Sequence, residues 1–124
     1  MSKRILIVED QEDNRQILRD LLTSAGFDMI EAENGVDGVA AAVSERPDLI
    51  LMDIQLPIMD GYEATRRIKA DANLSATPII VITSYALSGD EAKASAAGCD
   101  AYVTKPYSPR ELLARIRAFL PAAS

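Results

Sequence analysis

Six positions, spread over nearly a hundred residues, have side chains suited to handling a phosphoryl group. Glu9 and Asp10 stand together behind the apolar run at 5–8. Asp53 closes LILMD at 49–53, Thr83 and Ser84 close the run that begins at Ile79, and Lys105 follows AYVT at 101–104. Three carboxylates gathered at one place repel, and some stay protonated unless a cation compensates them. A hard divalent cation such as Mg2+ meets the need, since it takes oxygen ligands, keeps several waters and requires few carboxylates. Its open positions suit phosphate oxygens. Asp53 then has the makings of a nucleophile that forms an aspartyl phosphate, with Mg2+ and Lys105 neutralising charge and Thr83 hydrogen-bonding one oxygen.

Taken singly, each residue has a plainer reading. The acidic run at 9–13 (EDQED) reads as a solvated loop before a helix, where acids are favoured anyway. Asp53 alone is a turn or cap residue, Lys105 a surface lysine, Thr83 a β-branched strand residue and Tyr102 a core aromatic. Met52 and Met59 read as packing, Cys99 as a buried inert thiol, and Arg66, Arg67 and Lys69 as a solvated helix face. The chemical reading prevails for the acids, Thr83 and Lys105 because each stands at the carboxyl end of a predicted strand.

Those strands come from an alternating pattern. Apolar runs predict strands at 4–8, 28–32, 49–52, 79–83 and 101–104. Between them the spacing predicts helices. The first, over 14–25, carries Ile17, Leu18, Leu21, Leu22 and Ala25 on one face, with Asp13 and Gln16 as a capping box and Gly26 at its end. The second covers 35–44 and closes before Pro47; the third covers 61–70, with basic residues late in it. The fourth, 90–97, is built from alanines and ends at Gly98, so loose attachment is expected. The fifth opens on Ser108, Pro109 and Glu111, a cap, a first-turn proline and a capping-box acid, and runs to Pro121. Five strands alternating with five helices imply an α/β, doubly wound parallel sheet with helices on both faces. In such sheets ligands gather at the carboxyl ends of the strands, where the strand order reverses.

Composition narrows the class. The chain has 124 residues, 48% of them hydrophobic and 26% charged, which fits one domain over residues 1–124. Thirteen bases against 19 acids give a net charge of −6, which argues against nucleic acid as a partner. No apolar run approaches the ~20 residues that cross a bilayer. A lone cysteine favours a reducing, cytoplasmic setting. There is no histidine, so the chain lacks a histidine base, ligand or phosphate carrier.

The motifs ED at 9–10, LILMD at 49–53, PxMDG at 57–61, VITS at 81–84, AGxDAY at 97–102 and TKP at 104–106 together resemble the response-regulator receiver domain of two-component signalling. The likeness runs from about Lys3 to Leu120. It is similar to chemotaxis regulators, to division-control single-domain regulators and to receivers of hybrid kinases. It implies a flavodoxin-like sheet in the order 2-1-3-4-5. It also implies that Asp53 is the phosphorylated residue and that Asp10, Asp53 and the Gln55 carbonyl hold Mg2+, with Glu9 reaching the metal through water. Thr83 and Tyr102 take the place of the switch pair, Lys105 binds the phosphate, and the Lys105–Pro106 bond is cis. Gln55 and Tyr85 occupy the two positions that tune phosphate lifetime, and their bulk favours a lifetime longer than seconds. Glu9 departs from the commoner aspartate, and Ser84 from a smaller residue.

The implied function is that of a phosphoacceptor. A histidine kinase or histidine phosphotransfer protein supplies the phosphoryl group. A downstream protein then reads the face formed by the fourth helix, fifth strand and fifth helix. No output domain is expected, and no nucleic acid or membrane as a partner. The expected role is a switch that catalyses its own phosphorylation rather than an enzyme. Alternatives are a receiver excised from a hybrid kinase, or a non-phosphorylated interaction domain. A flavin binder would need a glycine- and hydroxyl-rich loop where EDQED stands. A dehalogenase-type phosphatase would need an acid where Gln55 stands.

Overall fold

A computed structural model describes residues 3–83 and 90–120; the side chains of Asp90 and Glu91 are left aside. The elements alternate as β1 (Arg4–Val8), α1 (Glu12–Ser24), β2 (Asp28–Ala32), α2 (Gly35–Glu45), β3 (Leu49–Asp53), α3 (Gly61–Ala70), β4 (Ile79–Thr83), α4 (Asp90–Ala97), β5 (Ala101–Thr104) and α5 (Pro109–Phe119). All strands pair in parallel, in the order β2-β1-β3-β4-β5. The expected fold class and strand order are both present. Ser84, Tyr85, Pro121 and most of the 86–91 segment lie outside the described residues.

Parallel strands covered on both faces must be apolar throughout. β3 and β4 are buried at every position, and β1 at all but its first. Their side chains alternate between two cores. Leu6, Val8, Ile50, Met52 and Val81 pack with Ala42 of α2, Ala64 and Ile68 of α3 and Ala94 of α4. Ile5, Ile7, Leu49, Leu51 and Ile82 pack with Leu18 and Leu22 of α1 and Leu112 and Ile116 of α5. Each fully buried Leu or Ile contributes about 1.5–3 kcal/mol of apolar transfer. The two layers therefore hold the strand ends at fixed spacing.

Local signals explain several helix ends. Asn34, Asp60 and Ser108 cap α2, α3 and α5 by accepting from the backbone N–H of Asp37, Glu63 and Glu111. Gly98, at φ +101, follows α4 in the left-handed region where glycine carries no steric cost.

Several expectations shift. α1 starts at Glu12, and its N-cap Gln11 makes no side-chain cap, so Asp13 lies inside the first turn rather than capping it. The Gln11 N–H is instead given to the Glu9 carboxylate, at 3.0 Å, which starts the helix early. The buried stripe of α1 is Arg15, Leu18 and Leu22, whereas Ile17 is 57% exposed. β3 extends one residue further than expected because Asp53 itself pairs with Ile82. α2 runs to Glu45 and ends on Arg46 in the left-handed region. Cys99 is half-buried rather than buried. Lys69 does not belong to a solvated face: its ammonium bonds Asp100 Oδ2 at 2.8 Å and the Thr77 carbonyl at 2.7 Å. Arg66 and Arg67 do lie exposed, both paired with Glu63.

Candidate functional site

The strand order reverses between β1 and β3, so the chain leaves those two strands toward opposite faces and opens a crevice at their carboxyl ends. Glu9 and Asp10 follow β1, and Asp53 ends β3. Thr83 ends β4 one strand further along, and Lys105 follows β5. The Lys105 N–H donates to the Thr83 carbonyl at 2.7 Å, carrying the last pair one step beyond the ladder.

Asp53 is 7% exposed. Its Oδ1 accepts from the Gln55 N–H at 3.0 Å, and its Oδ2 accepts from the Lys105 ammonium at 2.8 Å. Both oxygens are thus fixed, one by the turn after β3 and one by a cation from beyond β5. The same ammonium reaches Glu9 Oε1 at 3.2 Å. Burial, the nearby Asp53 and its charge push the Glu9 carboxyl up to about 7, against the opposing pull of the Gln11 N–H and of Lys105. Burial pulls the Lys105 ammonium down, but the two carboxylates outweigh it and leave its pKa raised. The Lys105–Pro106 peptide is cis, as expected.

Thr83 is buried at the end of β4, and Tyr102 is half-buried against the α2–α3–α4 core. Asp10, Gln55 and Thr83 line one cavity of about 530 Å³, which Asp60 and Tyr62 also border. The Gly61 Cα faces the Asp53 carbonyl so closely that an added Cβ would lie 2.1 Å from it. Glycine there lets α3 start directly behind the acid.

The acids share one edge, but not as a finished metal cage. Among the described residues no group of three His, Cys, Asp or Glu side chains is placed to hold a metal ion. The Lys105 ammonium bridges Glu9 and Asp53, while Asp10 lines the cavity beside Gln55. The donor set still suits Mg2+: all oxygen, with one or two carboxylates sufficient and waters completing the shell. The raised Glu9 carboxyl marks the negative charge that such a cation would relieve.

Sequence reasoning missed Arg15. Its side chain is only 7% exposed, and its guanidinium donates to the Glu9 carbonyl at 2.8 Å. It also meets Glu12, Glu31 and Glu33. The available signal was its place in the helical register with Leu18 and Leu22, where an arginine needs buried partners. Tyr85 and Ser84 lie outside the described residues.

The chain is similar to known proteins along nearly its whole length. Residues 5–117 match the response regulator receiver domain family. The chain is 42% identical over 120 residues to the polar-differentiation response regulator DivK of Brucella anthropi, covering 97% of this chain and 98% of that one. Among solved structures it resembles the receiver domain of a sensor histidine kinase from Pseudomonas aeruginosa PAO1, with a magnesium ion coordinated in the active site cleft. That match has a TM-score of 0.91 at 37% identity, covering 97% and 98% of the two chains. It also resembles the chemotaxis response regulator CheY4 of Vibrio cholerae, with a TM-score of 0.90 at 26% identity over 96% and 99% of the chains. With the family matched along nearly its whole length, the chain belongs to the response regulator receiver domains of two-component signalling.

Proposed function

We propose that Asp53 accepts a phosphoryl group from a phosphohistidine on a kinase or phosphotransfer protein. The observation that carries this is the placement of Lys105 Nζ 2.8 Å from Asp53 Oδ2 on a carboxylate whose other oxygen is already held. An Asp53 oxygen attacks phosphorus, the new O–P bond forms as the P–N bond breaks, and the electron pair leaves with the donor imidazole. The chain has no histidine and stands on the receiving side. Lys105 moves its charge onto a phosphoryl oxygen, and the Thr83 hydroxyl takes another. Asp10, Asp53 and the Gln55 carbonyl would hold Mg2+, with Glu9 reaching it through water. Bound there, Mg2+ supplies charge neutralisation for the transferring group. Gln55, exposed at the rim, limits water access to the aspartyl phosphate and favours a lifetime longer than seconds.

The output is a shift in population. Thr83 drawn to the phosphate leaves room for Tyr102 to turn inward, which alters the α4–β5–α5 face that a downstream protein binds. The phosphate must bind that altered state better than the resting one. α4 suits such a change, since its described buried contacts are two alanines, Ala94 and Ala97.

Intact mass after incubation with acetyl phosphate tests the reading. A gain of one phosphoryl group is expected with Mg2+ and none with Asp53→Asn or with a chelator. A gain that persists in Asp53→Asn would overturn the assignment of the acceptor.

A further inference from the structure

Glu9 and Asp10 are joined by a single peptide unit, and its carbonyl is held by a buried arginine. The Glu9 N–H donates to the Ala32 carbonyl at 3.0 Å, as the last step of the β1–β2 ladder. The Glu9 carboxylate takes the Gln11 N–H and the Lys105 ammonium. Its carbonyl, which belongs to the peptide plane leading into Asp10, receives Arg15 Nη1 at 2.8 Å. Asp10 itself has far less support: among the described residues its carboxylate accepts only from Gln11 Nε2, at a long 3.4 Å on the exposed side. The backbone leading into Asp10 is held at three points, the Glu9 N–H by Ala32, the Gln11 N–H by the Glu9 carboxylate and the Glu9 carbonyl by Arg15.

The guanidinium is itself anchored. Nη2 pairs with Glu33 Oε1 at 3.1 Å and with Glu12, and Nε faces Glu31 Oε1 at 3.4 Å. Glu31 belongs to β2, Glu12 to the first turn of α1 and Glu33 to the turn before α2. Three acids from three segments thus hold one planar cation whose remaining nitrogen points at the peptide between the two site acids. A lysine has a single point charge and lacks this fork.

We infer that Arg15 is a positioning residue for cation binding: it fixes the Glu9–Asp10 peptide so that the Asp10 carboxylate points into the cavity it shares with Gln55 and Thr83. The inference rests on the assignment of Asp10 as a Mg2+ ligand made above. Outer-shell partners of metal ligands are typically worth about 10–100-fold in metal affinity.

The test is calorimetric titration of the unphosphorylated full chain with Mg2+, alongside thermal melts in chelator. Arg15→Met should weaken Mg2+ binding about tenfold or more, and Arg15→Lys should weaken it less. Glu33→Gln removes one of the three acids that anchor the guanidinium but leaves the other two and the carbonyl bond, and it should weaken Mg2+ binding much less than Arg15→Met does. Unchanged Mg2+ affinity in a folded Arg15→Met chain, even with a lowered melting temperature, would overturn the inference. If Arg15→Met does not fold, unchanged affinity in Arg15→Lys overturns it in the same way. An equal loss in Glu33→Gln would also do so, by assigning the effect to network charge. Absence of Mg2+ binding in the wild type would instead refute the ligand assignment itself.

Discussion

Lys105 and Asp53 meet as an ion pair at 2.8 Å across the mouth of the sheet, although 52 residues separate them. The lysine neutralises the buried acids at rest and, in the proposed transfer, meets the phosphoryl group on arrival. Lys105→Met should lower folding stability in chelator by roughly 1–3 kcal/mol, less than for a wholly buried pair because the lysine side chain keeps a quarter of its exposure. Phosphorylation of Asp53 by acetyl phosphate should slow at least tenfold. Denaturant unfolding and the mass assay read the two effects separately, and an unchanged phosphorylation rate would remove Lys105 from the mechanism.

Glu9 is the strained member of the site, buried and close to Asp53 with one shared cation. Replacing it with the neutral isostere removes a repulsion that the metal-free fold endures. Glu9→Gln should therefore be more stable than the wild type in chelator. Mg2+ should narrow that gap, because the added cation relieves the wild type more than the variant. Paired thermal melts with and without Mg2+ check this; a variant less stable than wild type in chelator contradicts it.

Two glycines separate steric from conformational demand. A methyl at Gly61 would meet the Asp53 carbonyl, so Gly61→Ala must push α3 from the end of β3, at a cost of roughly 1–3 kcal/mol. It should also slow phosphorylation, since Asp53 shifts with its backbone. Gly26 stands in the left-handed region at φ +92, with nothing near an added methyl. Gly26→Ala should cost about 1 kcal/mol and leave the phosphorylation rate unchanged. Equal kinetic loss in both would show that stability alone governs the rate.

The α1–β2 ion pairs give an acid-side pH dependence. Hydrogen bonding to Arg19 holds the Glu31 carboxyl below its ordinary value, against the opposing effect of burial. A lowered folded-state value means the unfolded chain binds the proton first, so the contribution is complete above the ordinary carboxylate range and fades as pH falls through the folded value. Glu31→Gln should cost roughly 0.5–1 kcal/mol near neutral pH. The difference from wild type should shrink toward zero in acid, and a constant gap across the range would contradict the linkage.

The legible parts share a physical cause. A parallel strand buried on both faces is an apolar run, and the run stops where the chain leaves the sheet. That is why Asp53, Thr83 and Lys105 could be read as one edge, and why Ser108 with Glu111 announced α5. The ties that refine the site follow no such period. Arg15 reaches a backbone carbonyl, and any residue type supplies one of those, so the Glu9 carbonyl carried no mark of its partner. The same holds for Lys69, whose acceptors include the Ser75 and Thr77 carbonyls and Asp100 on a distant loop. The start of α1 shifted because the Glu9 carboxylate took the Gln11 N–H, a use of the acid that charge patterning does not reveal.

The bridge between Glu9 and Lys105 spans 96 residues. During synthesis the ribosome delivers Glu9, Asp10 and Asp53 long before the lysine that neutralises them, and β5 must leave the exit tunnel and dock before that lysine reaches its place. A nascent chain stalled short of residue 105 holds its acids without their cation. Neutralisation of the acids that β1 and β3 deliver early therefore waits on the synthesis and docking of β5.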